Sequence, residues 1–293
     1  MQTVLLFALP EEHASFRTAT GPWRLTCRTP FKTFRCTTLS HDLVLVETGM
    51  GREPLCRALS WLLEHPHPDL IISAGFAGSL SEHLSVGDAC LGEAFLCFDE
   101  DHEEQWSGEV ARAALPDAVS GNRDGLASVM ECSPLATFHL KRDSERPRQW
   151  LPVAGRHLFH QARIITVTRP QQKTSLAHRF ADGTSLMDME SYYAVRFCFE
   201  RRIPFLAIRV VSDGLEDELD FDLGAISDDQ GKVRVPRVLA SVIWSPRLIK
   251  SYYHAWRRSR TAARSLGNFL TRVLALPERD LEDLVRSLSY YAS

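Results

Sequence analysis

Carboxylates flank a helix–strand unit in the stretch from Thr184 to Asp217. Asp188 and Glu190 precede a helical run, and Asp213 follows the apolar strand predicted at 205–211. Carboxylates at the carboxyl end of a buried strand can face carboxylates at the start of a helix. Such an arrangement can bind a polar ligand and transfer a proton. A simpler interpretation is also open, in which the first two acids complement the helix N-terminus and the third begins a turn.

Other strand ends carry ligand-type residues as well. The strand at 205–211 is apolar on both faces except for Arg209, which is typical of a strand buried inside a parallel sheet. Glu12 follows the first predicted strand, and a small-residue bend at 74–78 follows the third. In an open α/β sheet ligands collect outside the carboxyl ends of the strands, so these features can converge. Two acids in different environments would suit an acid–base pair.

Strands, glycine turns and helices recur along the chain. This pattern predicts an α/β fold with a mixed, mostly parallel central sheet flanked by helices. We expect one domain over residues 1–231 and a C-terminal helical extension over 232–293. The segment 99–155 is predicted as loops with one or two helices. The strands are predicted at 4–8, 43–47, 69–73, 89–98, 162–168 and 205–211.

Composition narrows the class of protein. The 293 residues are 44% hydrophobic and 24% charged, which is ordinary for a soluble globular protein. The formal net charge of -3 argues against a strong overall attraction to nucleic acid or to acidic membranes. Seven scattered cysteines without a C-x-x-C pair favour reduced thiols and a cytoplasmic location over disulfides or a zinc site. No signal peptide or membrane-spanning run is recognisable.

Several common catalytic motifs are missing from the sequence. The turn 48–51 lacks the Lys-Ser/Thr of a P-loop, and neither a dinucleotide fingerprint nor a serine-hydrolase elbow occurs. The histidine pairs 65/67 and 157/160 have no partner at metal-ligand spacing. These absences argue against a P-loop, a dinucleotide site and a metal site.

The C-terminal part is basic. Segment 233–273 carries seven Lys or Arg residues from Arg247 onward, with apolar residues at roughly helical spacing and no acid between Ser241 and Arg272. Two interpretations are open: a terminal helix that covers the sheet with solvated arginines, or contact with an anionic membrane surface or an acidic partner.

Five motifs in register resemble the nucleoside phosphorylase and nucleosidase superfamily, in particular the methylthioadenosine/S-adenosylhomocysteine nucleosidases. The resemblance covers about residues 4–98 and 162–222, and implies a three-layer fold. Residues 188–191 and the tail from 243 also resemble the hopanoid-biosynthesis branch, which is associated with removing adenine from adenosylhopane. The five motifs are Met189-Glu190 with 203–213, and the stretches 8–12, 48–51, 73–78 and 86–88.

The resemblance implies a residue-level mechanism. Asp213 would be the general acid at purine N7, because adenine leaves poorly as an anion. Glu190 would hold the ribose 2′- and 3′-hydroxyls, with Met189 packed on the sugar. Glu12 would orient or deprotonate the attacking water. No metal and no organic cofactor would be needed. The residues expected to support the site or contact the substrate are Ala8, Gly75, Phe76, Val167, Thr168, Arg209 and Ser212.

Two departures from the family pattern bear on the reaction. Phe76 stands where Ser or Thr is frequent, and a phenyl ring cannot hold phosphate, which favours water as nucleophile. Segment 167–170 replaces a Ser-Gly-Asp-aromatic run, so the aromatic that stacks on the base is missing there. A phosphorylase and a non-catalytic nucleoside-binding module remain the alternatives. Family members are usually dimers or larger, so a homo-oligomer is expected.

Overall fold

The computed structural model of the chain describes residues 1–37, 42–65, 68–98, 137–140, 159–169, 172–180, 183–217, 248–276, 280 and 290–292. The strands are β1 (Gln2–Phe7), β2 (Arg24–Cys27), β3 (Lys32–Thr37), β4 (Asp42–Glu47), β5 (Leu70–Ser79), β6 (Ala89–Phe98), β7 (Phe138–Leu140), β8 (Phe159–Val167), β9 (Ser185–Asp188), β10 (Phe205–Asp213) and β11 (Tyr290–Ala292). The helices are α1 (Pro10–Thr20), α2 (Arg52–Leu62), α3 (Lys173–Arg179), α4 (Ser191–Glu200) and α5 (Leu248–Leu274).

The strands form one mixed sheet in the order β11-β7-β6-β8-β9-β5-β1-β4-β3-β2. Strand β10 pairs with both β5 and β6, so β5, β9, β8, β6 and β10 form a closed circuit. The pairs β1–β4, β1–β5, β5–β10, β6–β8 and β8–β9 are parallel. The carboxyl ends of β1, β4, β5 and β10 therefore meet at one edge of the sheet.

Helices cover both faces of the sheet. Along β1, Val4 and Leu6 point into a core with α2 and α4, whereas Leu5 and Phe7 point into a second core with α1 and α5. Alternate residues of a strand face opposite sides, so a strand that is apolar throughout can join two cores. The α/β class, the flanking helices and the C-terminal helix are confirmed.

One detail differs from the sequence expectation. The stretch 74–78 continues β5 rather than bending, because Gly75 and Gly78 pair with Arg209 and Asp213 of β10. Small residues here keep the strand regular while side chains from neighbouring elements approach its backbone. Helix α5 spans Leu248–Leu274, and residues 218–247 before it lie outside the described residues. The predicted boundary at 231 and nearly all of 99–155 lie outside the described residues, and the boundary stays a prediction.

Candidate active site

Glu12 is a buried carboxylate at the start of α1 and is 4% exposed. Its Oε2 accepts a hydrogen bond from the backbone N–H of Leu9 at 2.9 Å, as in the acidic half of a capping box. Its Oε1 accepts from the backbone N–H of Phe76 at 2.9 Å. A Cβ atom on Gly75 would lie 2.7 Å from Oε1, so only glycine leaves room for the carboxylate. Burial raises the pKa of Glu12 from its ordinary value of 4.5, which suits a proton acceptor.

Asp188 and Arg209 form a buried ion pair, with side chains 1% and 3% exposed. Nε of Arg209 donates to Oδ2 of Asp188 at 2.8 Å, and its Nη1 and Nη2 donate to the carbonyl and hydroxyl oxygens of Ser73, each at 3.0 Å. Asp188 also accepts from Thr166 Oγ1 at 2.6 Å and from the N–H of Ser191 at 3.1 Å. The carboxylate thus caps α4 and holds the arginine, which satisfies both buried charges.

Glu190 lies two residues further on, directly before α4. Its Oε1 accepts a hydrogen bond of 2.5 Å from the backbone N–H of Gly51, which joins the turn after β4 to the start of α4. Burial, together with repulsion from Asp188, raises the pKa of Glu190 from 4.5 to about 7, although Arg209 lowers it. Glu12 adds to the repulsion. Two acids with raised pKa values therefore lie at one edge of the sheet.

A cavity of about 10 Å³ lies between these groups, enough for one water molecule. It brings together six of the predicted site residues, and Arg209 is the only cation among the described residues that line it. The cavity is lined by Leu6, Ala8, Glu12, Thr48, Leu55, Ser73, Ala74, Gly75, Phe76, Glu190 and Arg209.

Asp213 lies further along β10, opposite Gly78 of β5, with its side chain 24% exposed. Ser212 Oγ donates to its Oδ1 at 2.5 Å, and Lys173 Nζ donates to its Oδ2 at 2.5 Å. The Lys173 side chain is only 5% exposed and also donates to the carbonyl oxygen of Gly214 at 2.5 Å. Both carboxylate oxygens of Asp213 are therefore held in place at the strand end.

The remaining predicted contacts lie next to an apolar cluster. Val167 is 1% exposed and packs in this cluster, which Met189 contacts from its edge. Thr168, which directly follows β8, is partly exposed. Phe98 and Phe180 belong to the same cluster. Contact of Val167, Thr168 or Met189 with a substrate remains a prediction.

Sequence reasoning missed Lys173 and the supporting role of Thr166. Lys173 stands in the polar stretch 169–173, where nothing distinguishes it from a surface lysine. Only its hydrogen bonds to Asp213 and Gly214 at the end of β10 show that it is buried. Thr166 lies in an apolar strand, and a hydroxyl inside such a strand is the one signal that could have drawn attention to it.

Comparisons with known proteins agree with this architecture. Residues 3–243 match the sequence model of the family described as "Phosphorylase superfamily". The 5'-methylthioadenosine/S-adenosylhomocysteine nucleosidase of Staphylococcus saprophyticus is 25% identical over 201 residues, 65% of this chain and 80% of that protein. The Haemophilus influenzae nucleosidase of the same name is 24% identical over 173 residues, 59% of this chain and 69% of that protein.

Solved structures show the same fold. The methylthioadenosine/S-adenosylhomocysteine nucleosidase of Neisseria meningitidis, in complex with methylthio-immucillin-A, superposes with a TM-score of 0.59 at 15% identity, covering 93% of this chain and 98% of that one. Futalosine hydrolase of Helicobacter pylori gives a TM-score of 0.57 at 11% identity, covering 93% and 96%. The chain belongs to the phosphorylase superfamily, and the resemblance inferred from its motifs is confirmed.

Of the helices within the described ranges, none is both long enough and apolar enough to cross a membrane.

Proposed function

We propose that the protein hydrolyses the N-glycosidic bond of a 5′-substituted adenosine and releases adenine. The observation that carries this proposal is the one-water cavity bounded by Glu12, Glu190 and Arg209. A water there lies against a buried carboxylate whose raised pKa suits proton uptake. The nucleosidase names of the two curated relatives support the same reaction class.

In the proposed reaction the bond between C1′ and N9 breaks while water attacks C1′. Glu12 takes the proton of the water, and its negative charge stabilises the oxocarbenium-like sugar. Glu190 accepts hydrogen bonds from the ribose hydroxyls. Asp213 takes up a proton before the bond breaks and gives it to N7, so that the base leaves as neutral adenine, a step that general acids typically accelerate ~10²–10⁴-fold. The hydroxide from water ends on C1′, which completes the free sugar.

Two features favour water over phosphate. Phe76, which lines the cavity, has no hydroxyl that could hold a phosphate group. The guanidinium of Arg209 is also committed to Asp188 and Ser73 through bonds of 2.8 to 3.0 Å. A phosphate would need to displace these buried contacts, whereas a water would not.

The 5′ substituent is part of the proposal as well. The partly buried phenyl ring of Phe76 and the likeness to the hopanoid branch favour a bulky apolar group, as in adenosylhopane. Thioether-substituted adenosines are the smaller alternative.

The test is to incubate the purified full chain with methylthioadenosine, S-adenosylhomocysteine and an adenosine that carries a long 5′-alkyl group. We expect free adenine, measured by liquid chromatography, without added phosphate. The Asp213→Asn variant should lose ~10²–10⁴-fold in kcat while it still binds the nucleoside. A strict phosphate requirement would establish a phosphorylase instead, and binding without any turnover would establish a nucleoside-binding module.

A further inference from the structure

Helix α5 carries arginines and aromatic rings on its solvent side. These residues recur three or four positions apart, so they share one side of the helix. Tyr253 and Trp256 are each 53% exposed, which is unusual for large rings in a folded chain. We name this surface the arginine face, and it consists of Tyr253, Trp256, Arg257, Arg260 and Arg264, all exposed.

The opposite side of α5 is fixed to the domain. Ala262, Leu266 and Leu270 are buried in the core that α5 shares with α1. A Cβ on Gly267 would lie 2.9 Å from the backbone nitrogen of Phe16, so the two helices approach as closely as a glycine allows. The direction of the arginine face is therefore set by core packing and not by a loosely attached tail.

Among the described residues, no carboxylate neutralises the charge of the arginine face. Residues 242–271 contain no Asp or Glu. Within the described part of the chain no carboxylate forms an ion pair with Arg257, Arg260 or Arg264. The arginines contact rings instead: Cζ of Arg260 lies 4.7 Å from the centroid of Trp256, and Cζ of Arg257 lies 5.9 Å from that of Tyr253. Within the described ranges their guanidinium groups have no anionic partner, so they can bind anions from outside the molecule.

We propose that the arginine face binds the surface of an anionic lipid bilayer. Its arginines would contact headgroup phosphates, and its Trp and Tyr rings would enter the interfacial layer that such side chains favour. Tyr, Trp and Arg are also frequent in protein interfaces, so an acidic protein is the alternative occupant, and binding to lipid vesicles distinguishes the two. This proposal does not depend on the proposed enzymatic activity.

The test measures cosedimentation of the full chain with vesicles. We expect binding to vesicles of phosphatidylcholine with phosphatidylglycerol, weaker binding as salt increases, and little binding to phosphatidylcholine alone. In the triple variant Arg257→Gln, Arg260→Gln, Arg264→Gln, partitioning should fall at least ~10-fold, since each basic residue near an anionic surface contributes on the order of fivefold.

A matched control loses the same charge elsewhere. Arg24, Arg28 and Arg57 are exposed residues distant in sequence from α5, and replacing all three with Gln should leave vesicle binding nearly unchanged. A second variant, Trp256→Ser, keeps every charge and should weaken binding through the lost ring alone. Equal binding by the triple variant and its control would overturn the proposal. The proposal would also be overturned if the protein did not bind vesicles but formed a dimer through this face. Sedimentation would then show a dimer for the wild type and a monomer for the triple variant.

Discussion

Nζ of Lys173 lies 2.5 Å from Oδ2 of Asp213 and 2.8 Å from the carbonyl oxygen of Asp217. Oδ1 of Asp217 in turn accepts a hydrogen bond of 2.8 Å from Nη1 of Arg258 on α5. The proposed general acid is thus connected to the C-terminal helix through one buried lysine. This connection makes Lys173 a positioning residue for Asp213, since it holds both the carboxylate and the turn that follows it.

The first prediction concerns this lysine. Lys173→Met should lower kcat by about 10²-fold with little change in KM, because a catalytic group displaced by ~1 Å loses that much. Lys173→Arg keeps a cation and should recover part of the rate. Steady-state kinetics of adenine release measures both. Lys32→Met is the control, since that side chain is 40% exposed and pairs with Glu47 instead. Equal losses in the Met and Arg variants would contradict positioning through charge.

The pH dependence of kcat/KM should report the ionisation of the Glu190 carboxyl group. Only its ionised form can accept hydrogen bonds from both ribose hydroxyls, and its pKa is about 7. We expect kcat/KM to fall as pH decreases below ~7, and Glu190→Gln to remove this acidic limb at a lower overall rate. Burial also raises the pKa of Glu12. Any fall of kcat/KM at low pH that remains in the Glu190→Gln variant therefore reports the Glu12 carboxyl group. A wild-type kcat/KM that stays constant through neutral pH would exclude Glu190 as the group that binds the ribose hydroxyls.

The same raised pKa should appear in stability. The folded state favours protonated Glu190, so its contribution to the free energy of unfolding is fully present below the ordinary value of 4.5 and is lost as pH rises through about 7. Relative to wild type, Glu190→Gln should therefore become more stable on going from pH ~4.5 to above ~7, by on the order of a few kcal/mol. Urea denaturation at several pH values measures the difference. A difference in the free energy of unfolding that stays constant across this pH range would show that the pKa of Glu190 is not raised.

Much of the cavity could be predicted from the sequence. Glu12, Gly75 and Arg209 lie on or next to apolar strands, and parallel strands bring their carboxyl ends together whatever their distance along the chain. Glu190 precedes a clear helical run. The positions of these residues depend on periodicity and on strand direction, which local sequence expresses well.

The rest depends on contacts between distant elements. Lys173 is buried because its side chain reaches from the start of α3 to Asp213 and the turn after β10, whereas its sequence surroundings are those of a surface residue. The stretch 74–78 has the composition of a bend, yet pairing with β10 on one side and β9 on the other makes it a strand. Tertiary pairing overrides local propensity in such cases.

The close approach of Glu12 to β5 gives a further prediction. Gly75→Ala places a methyl group 2.7 Å from the original position of Glu12 Oε1, so the carboxylate must move. We expect kcat to fall about 10²-fold while the fold persists. Glu12→Asp shortens the side chain by one methylene and makes room for that methyl. The double variant should therefore be less impaired than the two single losses predict together, as a double-mutant cycle in kcat would show. Strict additivity would mean that the two residues do not interact.

The ion pair of Arg209 and Asp188 should dominate the stability of the site. Arg209→Met leaves a carboxylate that is 1% exposed without its cation, and breaking a buried pair in this way costs ~3–5 kcal/mol. Adding Asp188→Asn removes the unpaired charge and should recover part of that loss. Arg57→Met is the control, because that side chain is 65% exposed, and it should change stability by less than ~0.5 kcal/mol. Urea denaturation of the four proteins decides the matter. If Arg209→Met lowered the free energy of unfolding no more than the control does, the Arg209–Asp188 ion pair would not be formed in solution.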